Sequence, residues 1–255
     1  MLPVGGPRLQ GELSFDTAFA AQAPEMLQKW LASTAGHLHL RWVLHHLGVN
    51  VVLDVGANVG QYAAQLRGGG YTGRIVSFEP LPELATRLRE AAAADPEWQV
   101  KEHALGDRSG TQTIHARPGT MSSLLPSSTF GRQWRRRLGE SEEIPIQVRR
   151  LDEVLDEACA GIDQPRVFVK LDTQGYDLPA FQGAGDRVGE ILGLQSEISC
   201  LPIYDGMPGM VEQLQAYLAA GLTVSGLFPV SFHATSARMI EFDVVMVRQQ
   251  PPAAA

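Results

Sequence analysis

VVLDVGANVG, residues 51–60, contains a strand, a turn and the start of a helix. Its first three residues form a short apolar run, which is typical of a strand buried on both faces of a sheet. Asp54 ends this run, and small residues follow. From Val59 onward, apolar residues recur at positions i, i+3, i+4 and i+7, which predicts a helix that stops at the glycines 68–70. This stretch predicts an α/β fold with a ligand site at the turn.

The turn has the spacing D-x-G-x-x-x-G, whereas a dinucleotide fold favours G-x-G-x-x-G. Small residues let a ligand approach the backbone, and the free N–H groups of the first helical turn point at it. An acid beside the turn would repel a pyrophosphate but suit the ammonium group of S-adenosylmethionine. The spacing therefore favours this cofactor over NAD. The residues expected to bind it are Asp54, Gly56, Ala57, Asn58 and Gly60.

Residues 74–78, RIVSF, predict a second strand that ends in Glu79 and Pro80. A carboxylate at the end of the strand beside the nucleotide turn can accept two hydrogen bonds from a ribose diol. We therefore place Glu79 and Pro80 in the cofactor site. The acid suits NAD and S-adenosylmethionine equally and does not separate them.

Residues 98–105 predict a third strand, followed by Gly106 and Asp107. In folds of this kind the end of the third strand borders the nucleotide base. We therefore add Leu105 and Asp107 to the cofactor site, with Asp107 accepting from an adenine amine. The alternative is a plain turn that leads into the next strand, and the sequence leaves both open.

Composition and charge limit the class of protein. The chain has 255 residues, 44% of them hydrophobic and 19% charged, which suits one large globular α/β domain. A net charge of −7 argues against a general nucleic-acid binder. The two cysteines have no disulfide-framework or metal-site spacing. With no signal pattern and no bilayer-spanning apolar window, we expect a cytoplasmic protein without a membrane span. Its oligomeric state stays unknown.

We expect an N-terminal helical cap over residues 1–48, with two helices over 15–48, a cofactor-binding domain over 49–250 and a tail over 251–255. Within the domain, residues 117–143 interrupt the alternation of strands and helices and are long for a connection. They are predicted to form a lid.

The predicted lid has four arginines within residues 132–137, around Trp134. Guanidinium groups beside an aromatic ring suit a phosphorylated or carboxylated acceptor. We therefore expect Trp134, Arg135 and Arg136 to bind the acceptor. The alternative is a solvated helix face.

Two further strands end in acids. The strand over 166–171 has Lys170 within an apolar run and leads into Asp172, and burying a lysine without a partner is costly. The strand over 190–198 carries Glu197. Because open α/β sheets bind ligands at the carboxyl ends of their strands, both acids are expected near the substrate, and Asp172 is also expected to bind the cofactor. They could also hold a divalent metal such as Mg²⁺. We do not favour a metal, because only two oxygen ligands are visible.

The end of the chain predicts a helix over 209–220 and strands over 222–229 and 240–248. No helix separates these two strands, so the last strand is expected to be antiparallel.

Five segments in this order resemble the FkbM family of S-adenosylmethionine-dependent O-methyltransferases: VVLDVGANVGQYA, RIVSFEPLPE, HALGDRSG, FVKLDTQGYDLPAFQGA and EFDVVMVR. The resemblance runs from about residue 47 to residue 248. It implies a class I methyltransferase (Rossmann-like) sheet of seven strands, with the cofactor held by the DVGANVG turn and Glu79. It also implies methylation of a hydroxyl on a sugar, glycolipid or macrolide-type natural product. Many members have Asp-Val-Glu-Gly where this chain has Asp172-Thr173-Gln174-Gly175, which removes one carboxylate from any metal site.

We expect direct transfer of the methyl group to an acceptor hydroxyl, assisted by a general base. The candidate bases are Glu197 and Asp172, followed by His115 and His233. The other residues expected to contact the small-molecule or glycan acceptor are Lys170, Gln174 and Tyr204. One alternative is an NAD-dependent oxidoreductase, although the chain has no Tyr-x-x-x-Lys motif. The other is a cofactor-binding module without catalysis.

Overall fold

The computed structural model describes residues 24–249, with side chains from residue 27 onward. The first part of the predicted cap, residues 1–23, and the predicted tail lie outside the described residues. The helices are α1 (Pro24–His46), α2 (Gln61–Gly68), α3 (Pro82–Ala92), α4 (Thr129–Trp134), α5 (Leu151–Cys159), α6 (Asp177–Gln182) and α7 (Met210–Ala219). The strands are β1 (Val51–Val55), β2 (Arg74–Phe78), β3 (Trp98–Lys101), β4 (Ala104–Leu105), β5 (Gly110–Ala116), β6 (Glu142–Arg149), β7 (Val167–Leu171), β8 (Ile191–Ser199), β9 (Leu222–Phe232) and β10 (Met239–Arg248).

Seven strands form the central sheet in the order β3-β2-β1-β7-β8-β10-β9. Neighbours from β3 to β8 are parallel, and β10 is antiparallel to both β8 and β9. The predicted seven-stranded methyltransferase-type sheet with an antiparallel last strand is therefore confirmed. The strand order reverses between β1 and β7, and open α/β sheets bind ligands at such a switch point.

Alternate residues of β1 face opposite sides of the sheet. Val51, Leu53 and Val55 join an apolar cluster with α5, α6 and α7 on one side. Val52 joins a second cluster with α1, α2 and α3 on the other side. Because β1 is covered on both faces, its sequence is an almost continuous apolar run.

Two helices were predicted over residues 15–48. In the described part of this range, from residue 24 onward, the structure has one continuous helix, α1. Gly36 lies inside it, and a Cβ there would approach the ring of Phe228 to 3.2 Å. The glycine therefore lets the helix pack against β9 rather than breaking it. Leu40 and Leu44 are buried in the cluster with Val52, so α1 forms part of the core.

The prediction of one continuous strand over residues 98–105 was wrong. Strand β3 ends at Lys101, and Ala104–Leu105 instead pairs with β6 in a separate sheet of order β4-β6-β5. Backbone hydrogen bonding explains the split, because the N–H of Gly106 donates to the carbonyl of Arg149 in β6.

Residues 117–143 contain α4 and a 3-10 helix, Arg136–Gly139. The segment packs on the loop after β8, where Met121 and Leu138 form an apolar cluster with Ile203 and Tyr204. The N–H of Ser128 also donates to the carbonyl of Ile203. These contacts hold the segment against the main sheet.

Within residues 24–249, none of the helices combines the length and the apolar character that crossing a bilayer requires.

Candidate active site

A cavity of about 350 Å³ lies at the carboxyl ends of β1, β2, β7 and β8. Its lining includes the turn after β1, the residues just past β2 and β7, and polar side chains of β8 and β10. The position matches the ligand-binding edge of an open α/β sheet. Of the residues predicted from the sequence, those that line it are Gly56, Ala57, Asn58, Glu79, Pro80, Leu105, Lys170, Asp172, Gln174 and Glu197.

The turn after β1 is held very close to the end of β7. Gly56 has φ +77°, and a Cβ there would lie 2.1 Å from the carbonyl oxygen of Asp172. Only glycine fits this backbone position. Asn58 has φ +52°, and its side-chain amide donates to the carbonyl of Gly119 at 3.1 Å. The turn is therefore fixed from both sides, by β7 and by the 117–143 segment.

Glu79 is a buried carboxylate that faces the cavity. The N–H of Asn58 donates to Oε2 at 2.9 Å and the N–H of Leu81 donates to Oε1 at 3.0 Å. Burial is the main cause that raises the pKa of Glu79 to about 7, although both hydrogen bonds oppose this rise. Each carboxylate oxygen keeps a second lone pair that can accept from a ligand hydroxyl.

Apolar side chains form the neighbouring wall of the cavity. Leu84, Ala104, Ile114 and Leu124 belong to one apolar cluster, and all four line the cavity. Leu105 adds a fifth apolar side chain from β4. An aromatic base can bind against such a wall, beside the carboxylate that would hold its ribose.

Lys170 lies at the end of the cavity nearest β1. Its ammonium is 3.1 Å from Oδ1 of Asp54 and 3.6 Å from Oδ2 of Asp172, and it donates to the carbonyl of Gly56 at 3.0 Å. Burial would lower the pKa of Lys170, but the carboxylates of Asp54 and Asp172 outweigh it and the pKa is raised. Lys170 is therefore a paired cation that supports the turn.

Asp172 and Glu197 are connected by the amide of Gln174. Its Nε2 is 3.1 Å from Oδ1 of Asp172 and 3.1 Å from Oε2 of Glu197. The hydroxyl of Tyr204 donates to Oε1 of the same amide at 2.9 Å. Two strand-end acids thus share one amide group at the inner end of the cavity.

Two acids of β10 lie close to this group. Burial, followed by the charges of Glu241 and Asp172, raises the pKa of Glu197 well above the usual glutamate range. Burial also raises the pKa of Glu241, and it raises that of Asp243 to about 7. A carboxylate with a raised pKa is a stronger base once it is ionised, as a general base requires.

Among the residues with described side chains, no group of three or more His, Cys, Asp or Glu side chains has an arrangement that could hold a metal ion. Gln174 lies between Asp172 and Glu197 and donates its amide hydrogens to both. Asp172 and Glu197 are therefore arranged as a pair of carboxylates that accept hydrogen bonds from one amide.

Three predicted cofactor residues do not reach the cavity. Asp54 is fully buried and accepts from the hydroxyl of Ser77 at 3.0 Å, so it supports the turn from beneath. At Gly60, a Cβ would meet the ring of Trp98 at 2.8 Å, so packing explains this glycine. Asp107 accepts from the hydroxyl of Tyr176 at 3.2 Å, and only Tyr176 of this pair lines the cavity.

Neither candidate histidine lies at the cavity. His115 belongs to β5 and is 3.9 Å from a carboxylate oxygen of Glu143, on the second sheet. His233 lies in the turn after β9, where Ser236 is 2.8 Å from its Nδ1. His115 is on the second sheet and His233 is in the turn after β9, so neither histidine lies beside Asp172 or Glu197 at the cavity.

The predicted acceptor residues of the 117–143 segment are also outside the cavity. Arg135 is packed over the ring of Trp134 at 4.3 Å and donates to the sulfur of Met121 at 3.6 Å. Arg136 is an exposed residue of the 3-10 helix. Tyr204 lies behind Gln174 and contacts the cavity only through it.

Among the cavity residues that the sequence did not single out are His37, Tyr62, Gln195 and Asp243. Asp243 could have been predicted from the sequence, because it is a charged residue within the largely apolar strand β10. Lys170 was singled out in β7 for the same reason. His37 belongs to α1 and could not be placed without knowing how this helix packs.

A second cavity of about 250 Å³ lies between α1 and the β9–β10 pair. It shares four lining residues with the first cavity: His37, Gln195, Val230 and Asp243. The rest of its lining has Lys29 and Ser33 as its polar residues and is otherwise apolar, with Leu40, Phe228, Pro229 and Val245. The acidic end of the first cavity is therefore adjacent to an apolar one.

Comparison with known proteins gives a family match. A model described as a methyltransferase FkbM domain matches residues 54–199. A curated relative, 2-O-methyltransferase NoeI from Sinorhizobium fredii (strain NBRC 101917 / NGR234), is 27% identical over 164 residues. The match covers 61% of this chain and 66% of NoeI, which is just under two thirds of that protein.

Solved structures resemble the chain more distantly. A putative S-adenosylmethionine dependent methyltransferase from Listeria monocytogenes is 8% identical and gives a TM-score of 0.44, covering 81% of this chain and 98% of that one. Precorrin-6y C5,15-methyltransferase from Geobacter metallireducens GS-15 is 12% identical and gives a TM-score of 0.42, covering 79% and 80%. Neither likeness bears on function.

Proposed function

Because this chain belongs to the methyltransferase FkbM family, we propose that it transfers a methyl group from S-adenosylmethionine to a hydroxyl group of its acceptor. The observation that carries the proposal is the first cavity, which has Glu79 at one end and the linked acids Asp172 and Glu197 at the other. One end suits the ribose of the donor, and the other suits a hydroxyl that must lose a proton.

The donor end is built from backbone and one carboxylate. The Gly56–Asn58 turn offers an approach to the backbone, and Glu79 keeps lone pairs for a ribose diol. The apolar wall that includes Leu84 and Leu105 suits the adenine ring. When bound there, S-adenosylmethionine would supply an electrophilic methyl group. The turn and Glu79 would hold it in place.

The acceptor end supplies a base. An alcohol is a weak nucleophile, so a base that removes its proton in the transition state contributes about 10²–10⁴-fold to the rate. Glu197 is the proposed base, because burial and its acidic neighbours raise its pKa. Asp172 is the second candidate and also lines the cavity. Holding the reacting groups in line contributes up to about 7–11 kcal/mol in favourable systems.

The acceptor is proposed to be a hydroxylated molecule with an apolar part, such as a glycolipid or a macrolide-type product, rather than an anion. Lys170 lines the first cavity but does not favour an anion, because its ammonium is already paired with Asp54 and Asp172. The acids Glu197 and Asp243, which also line the cavity, would repel an anionic acceptor. The second cavity offers Leu40, Phe228 and Val245 to an apolar part of the acceptor. The O-methyltransferase name of NoeI supports a hydroxyl as the methylated group.

Two measurements test the proposal. Calorimetry should show binding of S-adenosylhomocysteine and no binding of NAD at the same concentration. Incubation with S-adenosylmethionine and a panel of alkyl glycosides, glycolipids and macrolides should give a product heavier by one methylene group, together with S-adenosylhomocysteine. Binding of NAD alone would favour the oxidoreductase alternative. Binding of S-adenosylhomocysteine without product from any acceptor would favour a non-catalytic module.

A further inference from the structure

Gln174 has more fixed contacts than an acceptor-binding side chain needs. The side chain is 8% exposed, and both hydrogens of its amide nitrogen are directed at carboxylates. An amide nitrogen has two N–H donors, and here Asp172 and Glu197 use both. The amide of Gln174 therefore has no free donor left for a substrate.

The two carboxylates set the orientation of the amide, because ionised acids only accept and therefore face its nitrogen. The amide oxygen then faces Tyr204, whose hydroxyl lies 2.9 Å from Oε1 of Gln174 and 3.2 Å from the carbonyl oxygen of Met121. Tyr204 thus satisfies the oxygen of the amide.

The backbone of Gln174 is held as tightly as its side chain. Gln174 has φ +55°, which is uncommon for a residue with a side chain, and Gly175 follows with φ +87°. The hydroxyl of Ser123 donates to the carbonyl of Gln174 at 2.7 Å. A strained position of this kind persists only where its surroundings impose it.

We propose that Gln174 is a positioning residue, whose amide fixes the carboxylates of Asp172 and Glu197 relative to each other and keeps Glu197 available as a base. The role in catalysis rests on the proposed function. The role in fixing the two carboxylates does not.

The charges around Glu197 explain why it needs such a donor. Like charges face it from several elements: Asp172 after β7, Asp177 on α6, and Glu241 and Asp243 on β10. Of the cations nearby, Lys170 is paired with Asp54 and Asp172, and Arg135 acts on Glu241. Burial and like charges both favour the protonated form, whereas a donated hydrogen bond favours the ionised form.

Two substitutions separate the parts of this arrangement. Gln174→Met keeps the length of the side chain and removes the amide. Tyr204→Phe keeps the ring and removes the hydroxyl that donates to the amide oxygen. Gln147→Ala is the control, because Gln147 is an exposed glutamine on β6 that bonds only Thr111.

The test is a carbon-13 NMR titration of the glutamate carboxyl groups in the protein without ligand, with Glu197 assigned by its loss in Glu197→Gln. In Gln174→Met the proton affinity of Glu197 should rise about tenfold or more, because the donor to its charged form is lost. Tyr204→Phe should change it less, because the amide still donates to both acids, and Gln147→Ala should not change it. An unchanged titration of Glu197 in folded Gln174→Met overturns the proposal.

Turnover gives a second readout. With the acceptor found in the panel, Gln174→Met should lower kcat about tenfold or more at neutral pH and recover part of it at higher pH, with S-adenosylhomocysteine affinity unchanged. A residue that only supported the fold would not shift the pH profile. If no acceptor is methylated by the wild-type protein, the proposed function fails while the NMR titration still decides this inference.

Discussion

The ammonium nitrogen of Lys170 lies 3.1 Å from Oδ1 of Asp54, and both side chains are buried beneath the ligand cavity. The two residues are direct neighbours in the β1–β7 register. Both project toward the α1–α3 side of the sheet, where the hydroxyl of Ser77 also donates to Asp54. The pair therefore connects the strand that begins the turn with the strand that ends at Asp172.

Breaking this pair should destabilise the fold. Lys170→Met keeps the length of the side chain but leaves Asp54 as an uncompensated buried acid, so the free energy of unfolding should fall by about 3–5 kcal/mol. The control is Lys101→Met, which removes a more exposed pair with Glu157 and should cost about 1 kcal/mol or less. Urea denaturation measures both. Equal losses in the two variants would show that the buried pair has no special role.

Binding of S-adenosylhomocysteine should depend on the charge of Glu79. Its pKa is raised to about 7, mainly by burial, so the carboxyl is largely protonated below that pH. Ribose hydroxyls donate to the ionised form, so affinity should rise with pH through about 7 and be roughly tenfold weaker at pH 6 than at pH 8. Calorimetry at several pH values measures this.

Glu79→Gln should lower that affinity about tenfold or more at pH 8, because the charge-assisted hydrogen bonds are lost. Its pH dependence should also disappear. Glu83→Gln is the control, since Glu83 is an exposed acid in the first turn of α3. An unaltered affinity in folded Glu79→Gln would remove Glu79 from the donor site.

The arginines of the 117–143 segment should not affect acceptor binding. Arg135 stacks on Trp134, and Arg136 is exposed outside the cavity. The double variant Arg135→Ala, Arg136→Ala should therefore keep the acceptor KM and its salt dependence. A higher KM with a weaker salt dependence would instead support the lid interpretation made from the sequence.

The parts of the fold that the sequence predicts best are those with a strong local pattern. The apolar run of β1 and the acids at strand ends could be placed because parallel strands bring their carboxyl ends to one edge. The site residues Glu79, Asp172 and Glu197 follow from this rule alone.

What could not be predicted depends on packing between distant segments. Asp54 was expected to face the ligand, but the alternation of β1 directs it toward Lys170 on the next strand. His37 reaches the cavity because α1 packs against β9, and Gln195 reaches it because β8 lies beside β7 in the sheet. Gln174 was expected to contact the acceptor, and only the positions of Tyr204 and Glu197 show that its amide is already used.

The measurement that tests the central claim most directly is methyl transfer by Glu197→Gln, compared with its affinity for S-adenosylhomocysteine. Glu190→Gln is the control, because Glu190 lies just before the opposite end of β8 and pairs with Arg187. Our account predicts that turnover falls about 10²-fold or more in Glu197→Gln while the affinity stays at the wild-type value. Near-normal turnover in a folded Glu197→Gln protein would contradict the assignment of Glu197 as the base.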